Sequence, residues 1–201
     1  MEEVSSFNKD LLIVTKNRNQ DDLLSLLKIG KRIFGENRVQ EAEEKFTLDL
    51  RKQFPDIELH LIGPLQSRKT QTALNIFDVI QTIDRKKIID EIVKVKAKST
   101  YIKTREFYIQ VNIGSEIQKF GVDKNELSNL YDYSLDQGLN ITGLMCIPPN
   151  IDDPSIFFRE MLVIKNKINK NLKLSMGMSS DYLYALNEGS DIVRIGSSIF
   201  L

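Results

Sequence analysis

Residues 11–16 read Leu-Leu-Ile-Val-Thr-Lys (LLIVTK), a run of aliphatic and β-branched side chains that ends on an amine. Such a run is the pattern of a short buried strand, which places Lys16 at its carboxyl end, on the edge of the core. A lysine buried there has to lose its proton or find an anion, because an isolated ammonium is costly in a low-dielectric site, and an uncharged lysine is a nucleophile. Alternatively the methylene stem packs on the strand end and the ammonium snorkels into water. The rest of the chain bears on the choice.

Seven further runs of the same kind follow, at 32–36, 59–63, 78–83, 107–113, 141–147, 172–176 and 191–195. Between them lie segments of helical period at 20–28, 38–53, 67–75, 85–97, 123–137, 154–169 and 180–187. Strands apolar on both faces that alternate with helices make a parallel sheet covered by helices, and eight such units close a (β/α)8 TIM barrel. An open doubly wound sheet would want a glycine-rich turn after the first strand, and Asn17-Arg18-Asn19-Gln20 contains no glycine. Gly30, Gly138 and Gly189 fall where a left-handed residue ends a helix. Asp84, Asp153 and Ser179 or Ser180 fall at N-cap positions, with Pro154 in a first helical turn.

At 201 residues and 41% hydrophobic content, the expectation is a single domain of class α/β. Lysine plus arginine and aspartate plus glutamate number 28 each, so no net field draws nucleic acid or an anionic membrane. One cysteine, Cys146, and one histidine, His60, make neither an intramolecular disulfide nor a Cys/His zinc cluster, which fits a reducing cytoplasm. The start, MEEVSSFNKD, lacks the pattern of a targeting segment, and no apolar run reaches the roughly 20 residues that span a bilayer. Lysine runs such as Lys94-Lys96-Lys98 and Lys165-Lys167-Lys170 read as solvated helix faces.

In a barrel the chemistry sits at the carboxyl ends of the strands. Strand seven ends in Ser-Met-Gly-Met-Ser-Ser (175–180) and strand eight in Arg-Ile-Gly-Ser-Ser (194–198). Small, hydroxyl-rich ends beside a helix start suit a phosphate, although glycine and serine also serve simply as turn residues and caps. Barrel closure sets strand eight beside strand one, so an amine, an arginine and an anion pocket share one mouth. Pyridoxal phosphate, with its aldehyde and phosphate, satisfies all three.

The segments IVTK, FGENRVQEA, LHLIGPLQSRKT, VNIGSEIQKFGV, GLMCIPP and LSMGMSSDYLYALNEGSDIVRIGSSIF resemble, in order and spacing, the YggS-like pyridoxal phosphate homeostasis proteins. Their barrel is similar to the amino-terminal domain of alanine racemase. The resemblance covers nearly the whole chain and implies that Lys16 holds the cofactor's aldehyde as a Schiff base. It further implies that Ser179, Gly196 and Ser197 hold the phosphate, that Arg194 faces the pyridine nitrogen, and that Asn37 lies near the ring. An arginine does not give up its proton, so it leaves that nitrogen unprotonated and the ring a weak electron sink.

Racemisation also needs a second proton-transferring group, which in alanine racemase comes from a separate domain. His60, near the start of its strand, reads instead as a hydrogen-bonded core residue. The function implied is therefore cofactor supply without appreciable turnover, with pyridoxal-phosphate-dependent apo-enzymes as possible recipients; a racemase-type enzyme of low activity is the alternative. Lys69 and Lys119 match family lysines that could form a secondary cofactor site or simply carry surface charge. Arg18 replaces the family's usual second lysine, and Cys146 reads as a small buried hydrophobe. Compared with the family, the chain is shortened at both termini, lacking a first and a last helix. That leads us to expect a thinly covered seam between strands eight and one, with reduced stability or a dimer contact there, in a monomer or weak homodimer.

Overall fold

In the computed structural model, residues 10–196 and 199–200 are described. The elements run β1 (Asp10–Val14), α1 (Gln20–Lys28), β2 (Ile33–Glu36), α2 (Val39–Lys45), α3 (Leu48–Gln53), β3 (Glu58–Leu61), a 3-10 turn (Ser67–Lys69), α4 (Thr70–Ile76), β4 (Val79–Ile83), α5 (Lys86–Lys98), β5 (Glu106–Val111), α6 (Leu127–Asp136), β6 (Ile141–Cys146), α7 (Ser155–Ile168), β7 (Lys173–Ser175), α8 (Tyr182–Asn187) and β8 (Ile192–Ile195). Every strand is parallel to its sequence neighbours, and β1 pairs with β8 from Asp10↔Ile192 to Ile13↔Ile195, closing an eight-stranded barrel. The fold is the (β/α)8 barrel that the alternation of runs predicts.

Helix ends follow local chemistry. Asn19 forms a capping box with Asp22 at the start of α1. Gly30, Gly138 and Gly189 take φ of +83°, +73° and +87° just past α1, α6 and α8. The expected caps are met less evenly. Asp153 Oδ1 accepts from the Ser155 amide at 2.9 Å beside the N-cap Pro154, but Arg85 rather than Asp84 occupies the N-cap of α5, and Asp181 rather than Ser179 or Ser180 that of α8. The segment expected as one helix over 38–53 is two, because Phe46 leaves the helical conformation to bury its ring and the Thr47 hydroxyl accepts from the Leu50 amide, starting a new helix.

Residues on the outward face of the strands, among them Ile13, Phe34, Leu61, Ile80 and Ile109, pack under the helices in the main core. The inward face makes a second layer of Leu12, Val14, Val79, Tyr108 and Ile192. Tyr108 lies across the barrel interior against Gly143, where an added Cβ would come within 2.4 Å of the ring. That close approach requires glycine on β6.

Candidate functional site

Of the two expectations for Lys16, a buried amine or one that reaches water, the structure takes the second. The pairing of β1 with β2 ends at Val14↔Gly35, the Thr15 amide donates to the Gly35 carbonyl at 3.1 Å, and the chain then turns. Lys16 lies in that turn and is exposed, followed by Asn17 at φ 59°, in the left-handed region. The reason lies one residue earlier. Thr15 is fully buried and donates its hydroxyl to Glu36 Oε1 at 2.6 Å, while Lys45 Nζ donates to the same oxygen and to the Thr15 carbonyl, each at 2.6 Å. This knot ties the residue just past β1 to β2 and α2, so the following lysine stands clear of the core. Burial raises the Glu36 carboxyl above its ordinary value against the opposing effect of Lys45, and Glu36 Oε2 has no hydrogen-bond partner among the described residues.

Across the seam, Arg194 sits opposite Leu12 and is 3% exposed. Its Nη1 donates to the Ser175 carbonyl at 2.6 Å and the Ser175 hydroxyl at 3.0 Å, and Nη2 to the Cys146 carbonyl at 2.8 Å. A guanidinium carries more donors than these bonds use. Among the described residues no carboxylate lies within ion-pair distance of it; burial lowers its pKa from the ordinary value, yet an arginine remains the protonated partner. The Arg194 amide donates to the Gly177 carbonyl at 2.9 Å, which holds the turn after β7 against β8. Gly177 has φ +96°, and a side chain there would meet Ala185 Cβ at 2.6 Å.

Ser179 is half-buried in that turn, and Gly196 follows β8 against Val14, whose Cβ and carbonyl oxygen an added side chain would reach at 3.2 Å. Asn37 is half-buried just past β2, with Gly63 packed on its backbone. Ser197 lies outside the described residues. The structure therefore gathers Lys16, Asn37, Ser179, Arg194 and Gly196 at the carboxyl ends of β1, β2, β7 and β8, at one end of the barrel. Such a constellation offers an amine, a buried cation and a strand end stripped to backbone. Those are suitable partners for an aldehyde, a ring acceptor and an anion.

The other two candidate lysines differ in their surroundings. Lys119 Nζ is held by the Pro148 carbonyl at 2.8 Å and pairs with Glu116, whereas Lys69 lines an open cavity of about 590 Å³ with Asn37, Arg38 and Arg68. Cys146 is fully buried, with its thiol pushed up to about 12 by burial. His60 is a core residue, 2% exposed, bonded to Gln81 Nε2 and Glu58 Oε1 at 2.8 Å each. Sequence reasoning found His60 but not its partners. The Ser175 hydroxyl, which continues the same line by donating to Gln81 Oε1 at 2.7 Å, lies 94 residues from it in the chain.

Residues 5–201 match the profile of the alanine racemase N-terminal domain, and the chain belongs to that family. Within it, the chain groups with the pyridoxal phosphate homeostasis proteins. It is 38% identical over 200 residues to the one from Pasteurella multocida, covering 94% of this chain and 84% of that one. The homologue of Aquifex aeolicus is 36% identical over 182 residues, 85% of this chain and 77% of that one. Among solved structures, PipY of Synechococcus elongatus PCC7942 with pyridoxal phosphate bound superposes with a TM-score of 0.83 at 28% identity, covering 100% of this chain and 99% of that one. The alanine racemase of Acinetobacter baumannii, at 17% identity and a TM-score of 0.73, shares the fold over 97% of this chain and 58% of its own.

Proposed function

We propose that this protein binds pyridoxal 5'-phosphate at the barrel mouth and serves the intracellular supply of that cofactor without appreciable turnover. The observation that carries this reading is Arg194, a buried cation beside the turn after β7 that has no carboxylate partner among the described residues. A pyridine nitrogen is the acceptor such a donor suits. When bound, pyridoxal phosphate supplies an aldehyde that condenses with an amine and a ring that can withdraw electrons.

The roles of the protein's own groups then follow. Lys16 provides the amine of the Schiff base, and its exposed turn keeps that amine within reach of an incoming aldehyde. Ser179, Gly196 and Ser197 receive the phosphate where two strand ends meet. Arg194 holds the ring nitrogen unprotonated, which weakens electron withdrawal and disfavours broad carbanion chemistry. The relatives' name, homeostasis protein, and PipY with its bound cofactor support the same reading.

The test is spectroscopic. Wild-type protein with added cofactor is expected to show a visible Schiff-base band that borohydride abolishes, with the label on the peptide containing Lys16 and no racemisation of added amino acids. A Lys16→Ala protein that is labelled equally well would overturn the assignment of the amine, and turnover of an amino acid would favour the racemase-type reading.

A further inference from the structure

A continuous line of hydrogen bonds crosses the barrel interior. Arg194 Nη1 meets Ser175 Oγ at 3.0 Å, Ser175 Oγ meets Gln81 Oε1 at 2.7 Å, Gln81 Nε2 meets His60 Nδ1 at 2.8 Å, and His60 Nε2 meets Glu58 Oε1 at 2.8 Å. The line begins on β8 and passes through β7, β4 and β3, ending at the amino-terminal end of β3. Ser175, Gln81, His60 and Arg194 are each at least nine-tenths buried, so water does not satisfy them.

The two ends dictate the direction of every bond between them. A guanidinium only donates and an ionised carboxylate only accepts. Ser175 Oγ therefore accepts from Arg194, and its own hydrogen points to Gln81 Oε1. The Gln81 amide must then present its N–H to His60, whose Nδ1 accepts while Nε2 carries the proton toward Glu58. An imidazolium would break the order. With hydrogens on both ring nitrogens, the Gln81 amide would have to reverse, and the Ser175 hydrogen would lose its acceptor.

We propose that Ser175, Gln81, His60 and Glu58 form a directional hydrogen-bonded rod that sets the orientation of Arg194, which makes them positioning residues for the contact between Arg194 and the ring of the bound cofactor. The link to the ring rests on the cofactor site proposed above, whereas the rod itself is a property of the protein alone. A hydrogen-bonded barrel filling is more costly than an apolar one unless every member is satisfied. Here Ser175, Gln81 and His60 are each bonded on both sides, in one polarity, and the line ends on Arg194, the group at the mouth with donors to spare.

The single histidine makes the rod directly observable. Long-range proton–nitrogen NMR of the cofactor-free protein at pH 7 is expected to show a neutral imidazole with its hydrogen on Nε2. In Gln81→Glu the new side chain accepts from both neighbours, so the same signals are expected to become those of an imidazolium. A wild-type imidazole protonated on Nδ1, or a Gln81→Glu protein whose histidine stays neutral, would overturn the rod.

Ser175→Ala addresses the link to the ring. Its cofactor affinity is expected to fall about tenfold and its visible band to move, while borohydride still traps the cofactor on Lys16. Unchanged affinity and band position would overturn the positioning role. Failure of trapping on Lys16 in the wild-type protein would instead overturn the site reading, and the link to the ring with it, with the NMR result still deciding the rod.

Discussion

At the residue scale, two carboxyls on adjacent strands answer to opposite forces. Glu36 is fully buried and its pKa is raised by burial, while Lys45 and Thr15 pull the other way. Removing Lys45 leaves the carboxylate without its cation, so Lys45→Met is expected to cost about 3–5 kcal/mol at pH 7 in urea denaturation. Since Glu36 can take up a proton, that loss should shrink as the pH falls. A loss that stays constant from pH 7 to pH 5 would show that Glu36 is not the group being stranded. Glu58 is shifted the other way, its carboxyl held below the usual value first by the His60 hydrogen bond, against the effect of burial. A depressed native pKa contributes stability above the unfolded value and loses it as the pH falls through the native one. The melting-temperature difference between wild type and Glu58→Gln is therefore expected to be greatest near neutrality and to vanish in acid.

At the element scale, what could be read from the chain depended on how local the cause was. Aliphatic runs and C′ glycines announce themselves within a few residues, so every strand and the ends of α1, α6 and α8 were legible. The break between α2 and α3 carries no proline or glycine, only a threonine whose hydroxyl finds an amide three residues on, and it was missed. The end of β1 was missed for a longer-range reason. LLIVTK looks like six strand residues, but Thr15 turns its hydroxyl to Glu36, 21 positions away, and releases Lys16 from the sheet. In the turn after β7, Gly177 combines a positive φ with contact against Ala185. Gly177→Ala is expected to destabilise the protein by about 2 kcal/mol or more and to loosen the β8 end it supports. Faster amide exchange at Arg194, whose N–H it receives, is the measurement that checks this.

At the scale of the whole molecule, barrel closure is what turns distant residues into one site. The candidates at the mouth come from β1, β2, β7 and β8, and the pairing of β1 with β8 makes the first and last strands neighbours. Ligand and fold should therefore be linked. If the cofactor binds only the native state, stability rises by about 2.7 kcal/mol at a concentration 100-fold above its dissociation constant. Thermal melts with and without pyridoxal phosphate are expected to show that rise in the wild-type protein and to lose most of it in Lys16→Ala.

The Tyr108 ring resting on Gly143 stoppers the barrel below that mouth. A molecule seated above it has one door. Whatever enters there must leave by the way it came, so the one opening serves for both entry and exit.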